Sequence, residues 1–425
     1  MLESLPVGEK ANFDELFRGY AGPAFAVRLW DGAEWCSPGA ARPVCTLVVK
    51  DPGTLAALLA APNEITLGEA FIHDRLDVEG DLFSAFTVAE HLFRRPQKLR
   101  YQIARRVAGV ASGLGQFLRH GATNSRQRDR ASIAYHYDQP VAFFQPWLGR
   151  TLAYSCGYFR DPHQALDQAQ EQKLEVVCRK LRLKPDEHFL DIGCGWGSLL
   201  LHAAQWHRAL ARGITLSREQ AETARRRIER AGMERCCSVE LCDYRDLQRD
   251  GRSFDKIASV GMFEHVGLKN LGTYFSIACR LLRPGGLMLN HGIARASAAP
   301  VAGDSFISRY VFPDGRLVTL PQALEAAEQQ GLEVRDVENL REHYELTLRC
   351  WVAGLRANAE ALLHLVPRTT YRIWLLYMAG SAAAFRRGSI AVYQVLLSRP
   401  EGGASRMPLT REDWYAESPS GAVVN

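Results

Sequence analysis

Short apolar runs alternate with amphipathic stretches through the middle of the chain. The run HFLDI (188–192) enters a glycine-rich turn, and the segments SLLLHAAQWH (198–207) and REQAETARRRIERAG (218–232) predict helices. Four more segments begin as strands and end in loops: ARGITLS (211–217), SVELCDYRD (238–246), FDKIASVGMFEHV (254–266) and LMLNHGI (287–293). This alternation predicts an α/β fold with a doubly wound, mostly parallel sheet, in which ligands bind at the carboxyl ends of the strands.

Four segments divide the chain, because 425 residues are too many for one ordinary core. Residues 1–93 mix short apolar runs with turn signals and predict a small N-terminal domain, for which a lipid or membrane role is one hypothesis. The composition then predicts a basic linker at 94–130, the catalytic domain at 131–400 and a loose, Gly/Ser-rich C-terminal tail at 401–425.

Composition narrows the cellular setting. The best candidate for a membrane span, 373–385, has only thirteen uncharged residues, whereas a span requires about 18–20 apolar residues. The N-terminus lacks a basic start followed by an apolar run, so nothing indicates secretion. Ten cysteines without a C-x-x-C pair fit a reducing cytoplasm better than a disulfide framework or a zinc site. We therefore expect a cytoplasmic protein without a metal.

Positive charge is concentrated in the segment 94–130. Ten Lys or Arg and one Asp give this segment a net charge of +9, although the whole chain carries +5. Apolar residues from Ile103 to Phe117 recur at helical spacing, interrupted by glycines. Two interpretations stay open, a solvated hinge helix and peripheral contact with an anionic membrane surface. Nucleic acid is a weaker candidate, because no groove-reading motif accompanies the charge.

The turn after the first predicted strand carries a glycine motif. Its glycines stand at 193, 195 and 197, which is G-x-G-x-G and not the dinucleotide pattern G-x-G-x-x-G. Asp191, directly before them, suits a cationic ligand, and glycines let the backbone approach a ligand closely. The pattern favours S-adenosylmethionine over NAD, while a plain tight turn explains only one of the three glycines.

Eight motifs resemble those of the cyclopropane-fatty-acyl-phospholipid synthases and mycolic acid cyclopropane synthases. They are YSCGYF (154–159), LDIGCGWG (190–197), GITLSREQ (213–220), DYRDL (243–247), SVGMFEHVG (259–267), HGI (291–293), YVFPDG (310–315) and HYELTLRCW (343–351). The resemblance covers about residues 130 to 400, in the family order. It implies a class I methyltransferase that uses S-adenosylmethionine on the cis double bonds of unsaturated acyl chains in membrane phospholipids.

The resemblance also implies site residues. Donor contacts are implied at Tyr154, Ser155, Asp191, Gly193, Cys194, Gly195, Gly197, Thr215, Ser217, Gln220, Asp243, Tyr244 and Arg245. A bicarbonate ion is implied at Cys156, Glu264, His291, Tyr344 and, through its backbone, Ile293. The sequence departs from many family members at Ser381, where they carry a cysteine. Because a serine hydroxyl still donates a hydrogen bond, we expect activity to survive this change.

The implied chemistry explains why such a site is needed. An alkene is a poor nucleophile, whereas the sulfonium of the donor is a strong electrophile. Methyl transfer to one alkene carbon leaves a carbocation on the other, and a base must then remove a proton from the new methyl group so that the ring closes. Bicarbonate can serve as that base, in a site that aligns the reactants and excludes water.

Each chemical residue also has an ordinary structural interpretation. Taken alone, Cys156 predicts a buried small hydrophobe, and Tyr344 predicts a surface tyrosine. Glu264 follows an apolar strand, where catalytic groups of parallel sheets lie, although chance can also put an acid there. The pair Glu264-His265 is not part of an H-E-x-x-H motif, so no metal is predicted there.

Three other functions compete with cyclopropanation. The first is a related lipid methyltransferase that adds a methyl group without ring closure or uses another lipid. The second is a methyltransferase for a small polar nucleophile, and the third is a non-catalytic lipid-binding module. A homodimer is plausible by resemblance, but no interface pattern identifies it.

Charge reversal tests the membrane interpretation of the basic segment. Replacing Arg94, Arg95, Arg105 and Arg106 by Glu should weaken sedimentation with anionic vesicles, because the segment would lose its attraction to the lipid head groups. The difference from the unchanged protein should be largest at low salt, where screening is weakest. Unchanged sedimentation would leave only the hinge-helix interpretation.

Overall fold

The computed structural model describes residues 7–39, 42–60, 63–93, 139–297, 305–312 and 317–415. The basic segment 94–130, with its predicted helical pattern, lies outside these ranges. Contacts divide the chain into two compact units. The first unit combines 1–123, 300–313 and 355–384, and the second combines 124–299, 314–354 and 385–425.

A four-stranded sheet forms the centre of the first unit. The elements at its start are α1 (Val7–Leu16), β1 (Phe25–Arg28), β2 (Glu34–Cys36), β3 (Cys45–Val49), α2 (Pro52–Ala60), α3 (Glu64–Ile72), β4 (Leu76–Gly80) and α4 (Leu82–Phe93). The strand order is β2-β1-β3-β4, with β1 and β3 parallel. Phe17, Phe25 and Trp35 pack against one face, with ring centroids 4.8 to 5.5 Å apart. These aromatic contacts supply the core of a small unit.

The remaining described elements continue in chain order. They are α5 (Val141–Leu148), α6 (Leu166–Lys180), β5 (His188–Ile192), α7 (Ser198–His207), β6 (Leu210–Thr215), α8 (Arg218–Arg230), β7 (Cys237–Leu241), β8 (Phe254–Val260), α9 (Leu271–Leu281), β9 (Leu282–Arg295), α10 (Phe306–Tyr310), α11 (Leu320–Glu328), β10 (Glu333–Asn339), α12 (Arg341–Ala357), α13 (Ala359–Leu363), α14 (Arg368–Arg387), β11 (Ile390–Ser398) and α15 (Glu412–Tyr415). The helices predicted at 198–207 and 218–232 are observed as α7 and α8.

Two late segments belong to the first unit. Arg309 on α10 pairs with Glu69 at 2.7 Å. The buried Arg372 on α14 donates to the carbonyl oxygens of Phe71 and Leu76 at 2.6 and 2.8 Å. The domain limits inferred from the sequence assign these segments to the catalytic domain, whereas these contacts group them with the N-terminal residues. Contiguity along the chain is not contiguity in space, which is why the pattern of the sequence missed this.

The second unit is built on a mostly parallel sheet, as predicted. Within the described ranges its strand order is β10-β11-β9-β8-β5-β6-β7. The strands from β9 to β7 run parallel, and β11 is antiparallel to both β9 and β10. The sequence analysis did not identify β10, because its residues EVRDVEN include three acids and look like a surface loop.

Both faces of this sheet are covered by helices. Phe189, Ala211 and Val239 pack with apolar residues of α6, α7 and α8. The alternate residues Leu190 and Ile192 face the other way and pack with α9 and α11. Strands that are buried on both faces leave only their ends open for chemistry. The fold therefore directs attention to the carboxyl ends of β5, β6 and β8.

The segment after Pro400 differs from the loose tail that its composition predicts. Within 401–415, the indole of Trp414 is 2% exposed and lies in the core beside α6. Arg182 pairs with Asp413 at 2.6 Å, and its guanidinium lies 5.6 Å from the Trp414 ring. One buried aromatic thus anchors a Gly/Ser-rich stretch, a feature that average composition hides. Among the described helices, none has the length and apolar character needed to cross a bilayer.

Candidate functional site

A pocket opens where β5 ends in the glycine-rich turn. Gly193 has φ 85°, and a Cβ atom there would lie 2.8 Å from the Cβ of Met262, so only glycine fits. Gly195 has φ 54°, and a Cβ there would meet nothing within 4 Å. The turn therefore exposes backbone to an open space that a ligand can approach.

Ten of the thirteen positions at which donor contacts are implied line this pocket. They are Tyr154, Ser155, Asp191, Gly193, Cys194, Gly195, Thr215, Gln220, Tyr244 and Arg245. The other three support them from behind. Gly197 precedes α7, and the Ser217 hydroxyl accepts from the backbone N–H of Gln220 at 3.3 Å. Asp243 accepts from Arg245 Nε and Nη2 at 2.8 and 2.7 Å, which fixes the direction of that guanidinium.

Asp191 lies at the bottom of the pocket in an unusual state. The residue is 2% exposed, and its Oδ1 has no hydrogen-bond partner within the described residues. Burial raises the pKa of its carboxyl group to about 7, against the opposing influence of the Lys173 charge. An unpartnered buried oxygen costs about 1–3 kcal/mol, so a ligand that donates to Asp191 would recover this free energy.

Lys173 and Gln170 on α6 shape the same pocket, and the sequence analysis missed them. Lys173 Nζ donates to Ser155 Oγ at 2.9 Å, and Gln170 Nε2 donates to the Ser155 carbonyl at 2.8 Å. Burial lowers the pKa of Lys173 to about 8. Both residues share the buried face of α6 with Leu174 and Val177. Two polar residues three apart on an apolar helix face were the signal that could have identified them.

A second group of polar side chains lies next to the pocket, on β9 and the loop after β8. Glu264 Oε1 accepts from the Ile293 backbone N–H at 2.7 Å, whereas its buried Oε2 has no partner in the described part of the chain. Burial raises the pKa of Glu264 to about 7, partly opposed by backbone hydrogen bonds. Gly261, which lines the pocket, donates its N–H to the His291 carbonyl at 2.9 Å and so joins the two regions.

His291 belongs to this group and is neutral. Burial, together with the charges of Lys173 and Lys180, lowers its pKa to about 3. Its Nδ1 lies 3.2 Å from Gln394 Nε2, while its buried Nε2 has no partner among the described residues. Nε2 of His291 and Oε2 of Glu264 are therefore two buried polar atoms available to a small hydrogen-bonding ligand.

Cys156 and Tyr344 meet at one carbonyl group, that of Leu340. The Cys156 thiol lies 3.8 Å from this oxygen, and the Tyr344 N–H donates to it at 3.1 Å. Leu340 in turn donates to the carbonyl of Val392, which pairs with Ile293 across β11 and β9. This chain of contacts joins all five implied bicarbonate positions. Tyr344 is partly buried, with its ring 4.7 Å from that of Phe385, and is not a free surface tyrosine.

Comparison with known proteins identifies the family. The model of the mycolic acid cyclopropane synthetase family matches residues 124–395. A probable fatty acid methyltransferase of Pseudomonas putida is 41% identical over 396 residues, covering 92% of this chain and 95% of that protein. The chain belongs to the mycolic acid cyclopropane synthetase family. The resemblance stated from the motifs is thereby confirmed.

Two further relatives extend this comparison. The cyclopropane-fatty-acyl-phospholipid synthase of Escherichia coli K12 is 36% identical over 278 residues, covering 65% of this chain and 70% of that protein. The crystal structure of a mycolic acid cyclopropane synthase with SAH and CTAB is 32% identical, with a TM-score of 0.59, covering 63% of this chain and 97% of that one. This family member is therefore a methyltransferase with the class I fold that uses S-adenosylmethionine.

Changing Asp191 tests whether the unpartnered carboxylate serves the methyl donor. Asp191→Asn should weaken binding of S-adenosylmethionine about ten- to hundredfold, the equivalent of one charge-assisted hydrogen bond of about 1.5–3 kcal/mol. Because the pKa of this carboxyl group is about 7, donor affinity of the unchanged enzyme should rise between pH 6 and pH 8 as the carboxylate forms. In the Asn variant this rise should disappear.

Isothermal titration calorimetry with the donor measures both effects. Asp186→Asn is the matched control, because Asp186 is exposed, lies two residues before the same strand and has φ 64°, which asparagine tolerates. Equal affinities for Asp191→Asn and Asp186→Asn would remove Asp191 from the donor site.

Proposed function

We propose that this enzyme transfers a methylene group from S-adenosylmethionine to the cis double bond of an unsaturated acyl chain in a membrane phospholipid, forming a cyclopropane ring. The observation that carries the proposal is the pair of unpartnered buried atoms, Glu264 Oε2 and His291 Nε2, beside the pocket. They offer a place for a base next to the donor, and ring closure needs a base. Similarity to the E. coli synthase supports the same reaction.

On the donor side, the chain's own groups bind and orient. The glycine turn lets backbone N–H groups approach the ligand, and Asp191 accepts a hydrogen bond from it. Tyr244 and Arg245 line the opposite part of the pocket, with Arg245 fixed by Asp243. Thr215 Oγ1 holds the Gln220 side chain through a 2.8 Å hydrogen bond. These contacts align the donor without general acid or base chemistry.

On the base side, Glu264, His291, Tyr344, Cys156 and the Ile293 backbone would hold bicarbonate. When bound, S-adenosylmethionine supplies an electrophilic methyl group and bicarbonate supplies the base that takes the proton from the transferred methyl. Neutral His291 donates from one ring nitrogen, and Glu264 accepts the proton onward as its carboxylate. The donor set, with neutral donors around one carboxylate, fits an ion that both donates and accepts hydrogen bonds.

Burial also protects the site from its own donor. It raises the pKa of the Cys156 thiol far above its usual range, so the sulfur stays protonated. Thiolates, not thiols, are the reactive nucleophiles, and a thiolate here would compete with the alkene for the methyl group. The same reasoning assigns Cys156 a hydrogen-bonding role and no nucleophilic one.

Methyl addition without ring closure is the second candidate function. The probable fatty acid methyltransferase from Pseudomonas putida favours it, because that relative matches nearly the full length of this chain. In such an enzyme the carbocation would be quenched in another way, and the product would be a methyl-branched chain. A phospholipid substrate for either reaction would bring the enzyme to a membrane surface, with the segment 94–130 as the proposed contact.

Mass spectrometry of acyl chains distinguishes these functions. The full chain is incubated with S-adenosylmethionine and vesicles of cis-unsaturated phospholipid, with saturated vesicles as control. We expect a gain of one CH₂ with loss of the double bond, on unsaturated chains only. A gain of CH₂ that leaves the double bond in place, or a fully reduced methyl-branched chain, would instead establish methyl addition.

The Glu264→Gln variant tests the base side in the same assay. It should reduce turnover about 10²- to 10⁴-fold, because an amide cannot accept the proton, and it should leave donor affinity nearly intact. Since the pKa of Glu264 is about 7, turnover of the unchanged enzyme should rise as the pH passes 7 and the carboxylate forms. Glu234→Gln, at an exposed position, is the matched control.

Bicarbonate itself is tested by removing dissolved carbon dioxide from the buffer. Turnover of the unchanged enzyme should fall and then recover when bicarbonate is added. A fully active Glu264→Gln variant, or turnover indifferent to bicarbonate, would contradict the proposed base.

A further inference from the structure

A cluster of three metal-binding side chains lies between α6 and α7, outside the donor pocket. One ligand atom each from Cys178, His202 and His207 lies within 4.8 Å of the other two. Cys178 is fully buried, whereas 14% and 17% of the two histidine side chains are exposed. A metal ion from solvent can therefore reach the cluster from the histidine side.

Glu175 provides a carboxylate at the same place. Its Oε2 lies 2.9 Å from His202 Nε2 and 3.1 Å from His207 Nε2, and its Oε1 accepts from Arg179 at 2.6 Å. These three partners hold the pKa of the Glu175 carboxyl group far below its usual range, in spite of partial burial. A negative charge thus already stands beside both imidazoles at neutral pH.

The residue types and their spacing match a transition-metal site. Glu175 and Cys178 are three residues apart on α6 and share one face of that helix. His202 and His207 follow the H-x₃₋₅-H spacing of zinc ligands. Thiolate and imidazole together favour zinc over the hard cations calcium and magnesium, which take oxygen ligands.

We propose that Cys178, His202 and His207 bind a divalent transition metal such as zinc, with Glu175 completing a set of four donors. Binding releases the Cys178 thiol proton to solvent, the thiolate and the carboxylate balance the charge of the ion, and the imidazoles bind as neutral ligands. A tetrahedral zinc ion keeps its ligand atoms about 3.3–3.8 Å apart, so only small side-chain movements are required.

Such a metal would have a structural role. Four protein donors leave no open position for substrate, which is the arrangement of structural and not catalytic zinc sites. The ion would join α6, whose Gln170 and Lys173 contact Ser155, to α7, which begins at the glycine turn. It would thus hold together two helices that shape the donor pocket. The inference does not depend on which lipid product the enzyme makes.

Binding of zinc and cobalt ions tests the proposal on the full chain. The protein is stripped of metal with a chelator, kept reduced, and titrated with zinc chloride, with elemental analysis after gel filtration. We expect one zinc ion per chain and an increase in the melting temperature. Cobalt(II) in place of zinc should give a thiolate-to-cobalt charge-transfer band in the near ultraviolet, because Cys178 would be a ligand.

Variants separate this cluster from other thiols and imidazoles. Cys178→Ser should abolish the cobalt charge-transfer band, and His207→Gln should weaken zinc binding at least tenfold. Cys279→Ser, which changes a partly buried cysteine on α9, should preserve both properties. Circular dichroism identifies a Cys178→Ser variant that fails to fold; in that case the partly exposed His207→Gln decides. No zinc binding by the unchanged chain, a band that survives in folded Cys178→Ser, or full affinity in His207→Gln would overturn the proposal.

Discussion

Three polar side chains are buried at the carboxyl edge of the large sheet with one atom each left unpartnered among the described residues. Asp191, Glu264 and His291 owe this state to the apolar layers on both faces of the sheet, which exclude water from its strand ends. Each such atom costs about 1–3 kcal/mol, so the protein without ligands carries a strain that only a bound partner relieves. Ligand binding and folding stability are therefore coupled at this edge.

The same burial sets the protonation states of the site. It raises the pKa values of Asp191 and Glu264 to about 7 and lowers that of Lys173 to about 8 and that of His291 to about 3. Every group is shifted toward its neutral form, as desolvation requires. A neutral imidazole and a protonated thiol offer hydrogen bonds without competing as nucleophiles for an electrophilic methyl group. Low polarity thus serves both positioning and chemical protection.

Local pattern predicted what local pattern determines. The glycine turn and the ends of β5 and β6 are contiguous in sequence, so the pocket positions from Asp191 to Gln220 could be expected from it. Cys156 and Leu340 are 184 residues apart, and only the folded sheet shows that they touch. Lys173 escaped notice because a lysine on a helix normally predicts solvent, and the role of Trp414 was hidden by the composition around it. What the sequence pattern missed is held by long-range packing.

Helix α6 connects the separate features of the second unit. One face carries Gln170 and Lys173 to Ser155, and the next turn carries Glu175 and Cys178 to the histidines of α7. A shift of α6 by one residue, about 1.5 Å along its axis, would break the 2.9 Å contact to Ser155 and the contacts of Glu175 together. The position of this helix is thus determined twice, at the pocket and behind it. Groups that never contact a ligand therefore decide where the donor-binding backbone lies.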